Sequence, residues 1–188
     1  MHDYFTRLAE IYWAVYEDHI ELFLAELHAC RERDGTTYFF GNGGKAAIAD
    51  EFANDLSNGV VLDKPFRCVS LCGNGPMMTA IANDTAYRNL FRRQLEIYTR
   101  PGDLVVGMSG SGHSENVIEA LEYAQISGLR TMAVVGMDGG EIMQRHSKVT
   151  TLDVCLHIPT TTEEDGPIED TMLSLCHLAV QHFRATLA

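Results

Sequence analysis

Apolar residues near the start of the chain recur at helical spacing: Phe5, Leu8, Tyr12, Val15, Leu22 and Leu27. That period predicts one long helix over 4–33, closed by Gly35. Beyond it the pattern changes. Short runs rich in β-branched and aromatic residues predict strands at 37–40, 66–71, 104–108, 131–135 and 154–158. Helical stretches lie between them, at 45–57, 76–98, 114–126 and 140–146, and a last helix fills 167–187. Alternating apolar strands and helices predict an α/β, three-layer sandwich, a five-stranded parallel sheet with helices on both faces. No linker, repeat or low-complexity segment interrupts the pattern, so the chain reads as one domain over 1–188.

Composition narrows the partners. The 188 residues carry a formal net charge of −12. That charge argues against duplex nucleic acid or an anionic membrane as a main partner. An anionic substrate would have to be held by local groups. The five cysteines are odd in number and form no CxxC, which favours reduced core thiols. The N-terminus lacks the basic and apolar regions of a secretion signal, and no apolar run approaches membrane-spanning length. The expectation is a cytoplasmic protein.

Ligands of open α/β sheets bind outside the carboxyl ends of the strands, near the switch point. Three loops fall there: GNGGK after the first strand, CGNGP after the second and SGSGHS after the third. In the last, Ser109, Ser111 and Ser114 supply hydroxyls, and Gly110 and Gly112 let a ligand approach the backbone. Ser114 is a candidate helix N-cap, so the loop reads as an anion site or as an ordinary strand-to-helix turn. GNGGK is no nucleotide-hydrolysing P-loop: Phe39 stands where that pattern needs glycine, and Ala46 where it needs a hydroxyl. Lys45 either points a cation into the crevice or is a solvated helix-start lysine.

GNGG entering a helix, Ala82-Asn83-Asp84, and SGSGHSENVIEA after a strand, in this order, resemble the sugar isomerase (SIS) domain family. The closest likeness is to the phosphoheptose isomerases. The resemblance spans nearly the whole chain, including the GMDGG turn at 136–140 and a last helix with His177. It implies a flavodoxin-like five-stranded parallel fold, a homotetramer with active sites at subunit interfaces, and a sugar phosphate substrate. It also implies that Asn42, Gly43, Gly44, Asn83 and Asp84 line the sugar site, and that Ser109, Gly110, Ser111 and Ser114 hold the phosphate.

Isomerisation between aldose and ketose moves a proton between adjacent carbons through an enediol, and needs a base and an acid. Glu51 and Asp55, four residues apart, share a helix face. They are either a functional carboxylate pair or a solvated surface. His177 sits in apolar LSLCHLAV and reads, on that ground, as a core histidine. The resemblance implies instead that Asp55 is the base and His177 the acid, and that Glu51, Asp55, Glu169 and His177 hold one divalent metal per subunit. Zinc is the family metal, but three carboxylates and one imidazole lean toward harder ions. Asp165 also falls on a family site position, beside Glu169 at the substrate. Glu51 stands where the family usually has histidine, Lys45 where it usually has serine, and Gly59 where the heptose enzymes commonly carry a substrate-binding arginine.

The reading is therefore an isomerase converting sedoheptulose 7-phosphate, or a closely related long-chain ketose phosphate, to the aldose phosphate. The alternative is a non-catalytic SIS protein that senses sugar phosphates or associates with the replication initiator.

Overall fold

The computed structural model describes residues 2–15, 17–60, 63–148 and 152–187. In chain order the elements are α1 (His2–Ala14), α2 (Glu17–Glu32), β1 (Thr36–Gly41), α3 (Gly44–Asn54), β2 (Arg67–Ser70), α4 (Gly75–Asp84), α5 (Leu90–Tyr98), β3 (Leu104–Ser109), α6 (Glu115–Ile126), β4 (Arg130–Val135), α7 (Gly140–Lys148), β5 (Val154–His157) and α8 (Asp165–Leu187). The strands form one parallel sheet in the order β2-β1-β3-β4-β5. The five-stranded sandwich read from the sequence is the observed fold.

Strand residues alternate between two cores, as a period of two requires. Phe39, Val106, Met132 and Leu156 pack with α1, α2, α3 and α8, whereas Tyr38, Phe40, Val105 and Ala133 pack with α4, α5 and α6. Phe39 stacks on Phe52 of α3, and Phe40 packs at a tilt against Phe91 of α5. The sheet is thereby buried on both faces, which is why its strands read as continuous apolar runs.

Three helices differ from their predicted form. The predicted helix over 4–33 is two helices, with Tyr16 outside the described residues. Its buried side chains are Ile11, Val15, Phe23, Leu24, Leu27 and Cys30, while Phe5, Tyr12 and Leu22 are exposed. The stretch 76–98 is two helices joined by a 3₁₀ turn at Tyr87–Asn89. The end of the predicted 45–57 helix is a π turn, Asp55–Gly59. Groups from outside the helix engage that turn. The Ser57 hydroxyl accepts from Cys68 N at 3.1 Å, and Gly59 O accepts from Arg184 Nε at 2.7 Å. Such insertions are a common cause of a widened turn, and π turns often mark functional sites.

The sheet's switch point lies between β1 and β3, whose chain continuations run to opposite sides. Gly41 of β1 pairs with Met108 of β3, so GNGGK and SGSGHS leave the sheet side by side. The third expected loop, CGNGP, follows the edge strand β2 and lies one strand further out.

Candidate active site

At the switch point, Asn42, Lys45, Met108, Ser109, Gly110, Ser111, Ser114, Met137 and Asp165 line a cleft of about 280 Å³. The N-termini of α3, α6 and α8 converge there, each bringing the positive end of a helix dipole. Ser114 makes no side-chain cap of α6. The Ser109 hydroxyl instead bonds the Ser114 hydroxyl at 3.0 Å and accepts from Gly112 N at 3.1 Å. Ser111 Oγ accepts from His113 N at 3.2 Å. These bonds shape the loop around its own hydroxyls, and the Ser114 carbonyl accepts from Val117 N and Ile118 N at the start of α6.

The loop docks on the GMDGG turn backbone to backbone. Ile142 N donates to Gly112 O at 3.0 Å, and Gly140 lies against Ser111 O. Gly112 has φ +68, and a Cβ there would penetrate Gly139 O. We expect Gly112→Ala to destabilise the fold by about 2–4 kcal/mol, through left-handed strain and a backbone clash together. Urea unfolding of the wild type and the variant measures it, and a loss under about 0.5 kcal/mol, the range of a neutral surface change, would refute this account of the loop.

Lys45 is buried, with its Nζ 2.9 Å from Glu169 Oε1 and 3.5 Å from Asp165 Oδ1. It is thus a cation in the crevice rather than a solvated lysine. Both carboxylates come from the first turns of α8, and that of Glu169 is pressed against Gly44, where a side chain would collide with it. Asn42 Oδ1 accepts from Asn116 Nδ2 at 2.8 Å and from Tyr87 Oη at 2.9 Å. Gly43 is exposed beside them with φ +59. Asn83 and Asp84 are exposed at the end of α4, joined by a 2.8 Å bond, and lie outside the cleft lining.

A second cluster lies further along α3 and α8. Glu51, Asp55 and His177 each offer a ligand atom within 4.8 Å of the others. Both carboxylates are half-buried and the imidazole is exposed, so His177 is no core histidine. Met172, on the same helix, is the buried core residue. Beneath the cluster lies Cys176, whose thiol is pushed up to about 12, chiefly by burial and further by Asp55 and Glu51. It stays protonated at neutral pH and is no nucleophile.

Glu169 does not join this cluster. Eight residues of regular helix separate it from His177, about 12 Å of rise, and Lys45 holds it at the other end. The expected four-ligand set is therefore three groups in one chain. Two carboxylates that close repel each other unless a cation lies between them. Two carboxylates and an imidazole with an open position suit a divalent ion. The donor set thus fits a metal of the kind the sequence implied.

Sequence reading missed Asn116, Tyr87 and Met137. Asn116 had a signal, being in the first turn of the helix after the serine loop. Tyr87 had none, because the 3₁₀ turn that aims it was read as regular helix.

A polar cleft at three helix N-termini and a carboxylate–imidazole cluster on paired helices of a parallel α/β sandwich suit a protein that handles phosphosugars. A family model described as the SIS domain matches residues 3–136. The phosphoheptose isomerase of Akkermansia muciniphila is 35% identical over 144 residues, covering 76% of this chain and 72% of that protein. The probable phosphoheptose isomerase of Thermoplasma volcanium is 37% identical over 137 residues, covering 72% and 70%. The solved phosphoheptose isomerase GmhA of Neisseria gonorrhoeae superposes with a TM-score of 0.87 at 26% identity, covering 98% of this chain and 97% of its own. The chain belongs to the SIS domain family and, within it, to the phosphoheptose isomerases.

Proposed function

We propose that this protein isomerises sedoheptulose 7-phosphate, or a closely related long-chain ketose phosphate, to the aldose phosphate through an enediol, and that residues 1–188 act as one SIS domain. The observation that carries this reading is the meeting of Glu51, Asp55 and His177 within 4.8 Å, on the helix pair whose other end flanks the serine loop. Ser109, Gly110, Ser111, Ser114 and Lys45 hold the phosphate. Asn42, Gly43 and Gly44 address the sugar, with Asp165 and Glu169 orienting Lys45.

Asp55 takes the carbon-bound proton beside the ketose carbonyl while His177 gives a proton to the carbonyl oxygen. Asp55 then returns its proton to the former carbonyl carbon, and His177 recovers one from the neighbouring hydroxyl. Protons balance, and both groups end as they began. Glu51, Asp55 and His177 would hold one divalent cation, zinc by likeness to the family. Bound there, it would act as a Lewis acid on substrate oxygen, supplying the polarisation that His177 supplies as a proton donor when it carries no metal.

Along α3 and the π turn that follows it, Lys45 lies six residues before Glu51, about 9 Å of helical rise, a span that one extended sugar phosphate can bridge. The outer face of α1 supports a homotetramer with active sites at subunit interfaces: Trp13 is 90% exposed and Phe5 64%, as on a surface that another chain covers. No helix among the described residues is long and apolar enough to cross a membrane. A cytoplasmic location is part of the same proposal.

The test is a product assay on C5 to C8 ketose phosphates, with and without chelator, beside elemental analysis. We expect turnover of the C7 substrate, one divalent ion per chain and loss of rate on chelation. No turnover of any sugar would remove the isomerase. Tight sugar-phosphate binding without turnover would favour a sensing or initiator-associated protein instead.

A further inference from the structure

We infer that Arg184 is a substrate-positioning residue of the acid–base cluster, presenting a fixed guanidinium to the oxygens of the reacting end. The inference rests on the isomerase reading above. Arg184 lies seven residues after His177 on α8, on the same helix face. Its Nε donates to Gly59 O at 2.7 Å, which locks the plane of the side chain. The Nη2 edge then lies 3.3 Å from the point where a Cβ on Gly59 would stand. Asp55 Cβ and Oδ1 lie 3.9 Å from that same point. The open position over Gly59 is thus bordered on one side by the proposed base and on another by a guanidinium.

Three features make this more than a helix-end contact. First, a bond to the backbone through Nε spends one donor of a five-donor fork and leaves the Nη edge pre-aimed, the arrangement that suits planar oxygen recognition. Second, glycine at 59 is what leaves that space: Gly59 has no positive φ to demand glycine, whereas a side chain there would crowd Nη2. Third, the cluster carries two carboxylates, and an oxyanion developing beside them gains from a fixed guanidinium in addition to the cation they would hold. Lys45 cannot serve, since it is held at the other end of α3.

The test compares Arg184→Ala, Arg184→Lys and the double variant Arg184→Ala/Gly59→Arg with wild type on the C7 ketose phosphate. Unfolding midpoints and inorganic phosphate binding are measured alongside. We expect Arg184→Ala to lose about 10- to 100-fold in kcat/KM, the scale of one charge-assisted hydrogen bond. The loss should fall mostly on kcat, because the phosphate end still anchors the substrate, and inorganic phosphate should bind as in wild type. Lysine should recover little, having no fork. Gly59→Arg should restore at least tenfold, because it returns a guanidinium to the same space without remaking the bond to Gly59 O. A merely structural Arg184 would lower the unfolding midpoint and show no such rescue, and that result overturns the inference. So does unchanged kcat/KM in Arg184→Ala when wild type turns over, which leaves the isomerase reading intact. No turnover by wild type overturns both.

Discussion

Asp55→Asn is expected to lower kcat by about 10²- to 10⁴-fold, the usual contribution of a positioned general base. The side chain keeps its shape and its place on the π turn, so circular dichroism and the unfolding midpoint should stay close to wild type. The variant should also cease to exchange the carbon-bound proton of the substrate with solvent deuterium, a readout independent of product formation. Full activity in this variant would assign the base elsewhere.

Removing Lys45 is the second large change. Lys45→Met leaves Glu169 and Asp165 in the cleft without their cation, beside the place where a phosphate must enter. We expect KM to rise about 100-fold, as for a lost charged contact joined by repulsion from stranded carboxylates. Stability should fall by about 1–3 kcal/mol, less than for a fully buried pair because Glu169 is partly exposed. Lys45→Met/Glu169→Gln separates the two effects. The double variant should regain most of the stability in urea unfolding and little of the KM. If it regains both, Lys45 acts only as a structural partner of Glu169.

The positions and parallel type of the strands were legible because a sheet buried on both faces leaves continuous apolar runs, such as 104–109, that no amphipathic helix would show. The serine loop was legible because its chemistry is local in sequence. The helix ends were less so. Phe5, Tyr12 and Leu22 have the spacing of a core stripe yet face outward, since Ile11, Phe23 and Leu24 fill the core-facing positions. Periodicity finds a stripe but not which of two adjacent stripes is covered. The π turn at 55–59 is set by groups that reach it from β2 and α8, long-range contacts that no local pattern records. Glu169 is a different case. Its eight-residue spacing from His177 on a regular helix, about 12 Å of rise, is legible in the sequence, whereas its ion pair with Lys45 depends on the pairing of α3 with α8.

The convergence of three helix N-termini on one cleft also bears on how a substrate comes and goes. Helix poles act within about one turn, whereas the repulsion from a net charge of −12 reaches outward until salt screens it, over about 8 Å at physiological strength. An approaching phosphate meets a barrier first and an attractive well afterwards. Asp165 and Glu169 already neutralise the Lys45 end of that well, so entry resembles ion exchange more than capture. Capture speed is what such a site gives up, and residence time is what it gains. Added salt would hasten arrival by lowering the outer barrier while leaving the inner contacts largely intact, the reverse of the behaviour of a surface that draws its ligand in by opposite charge.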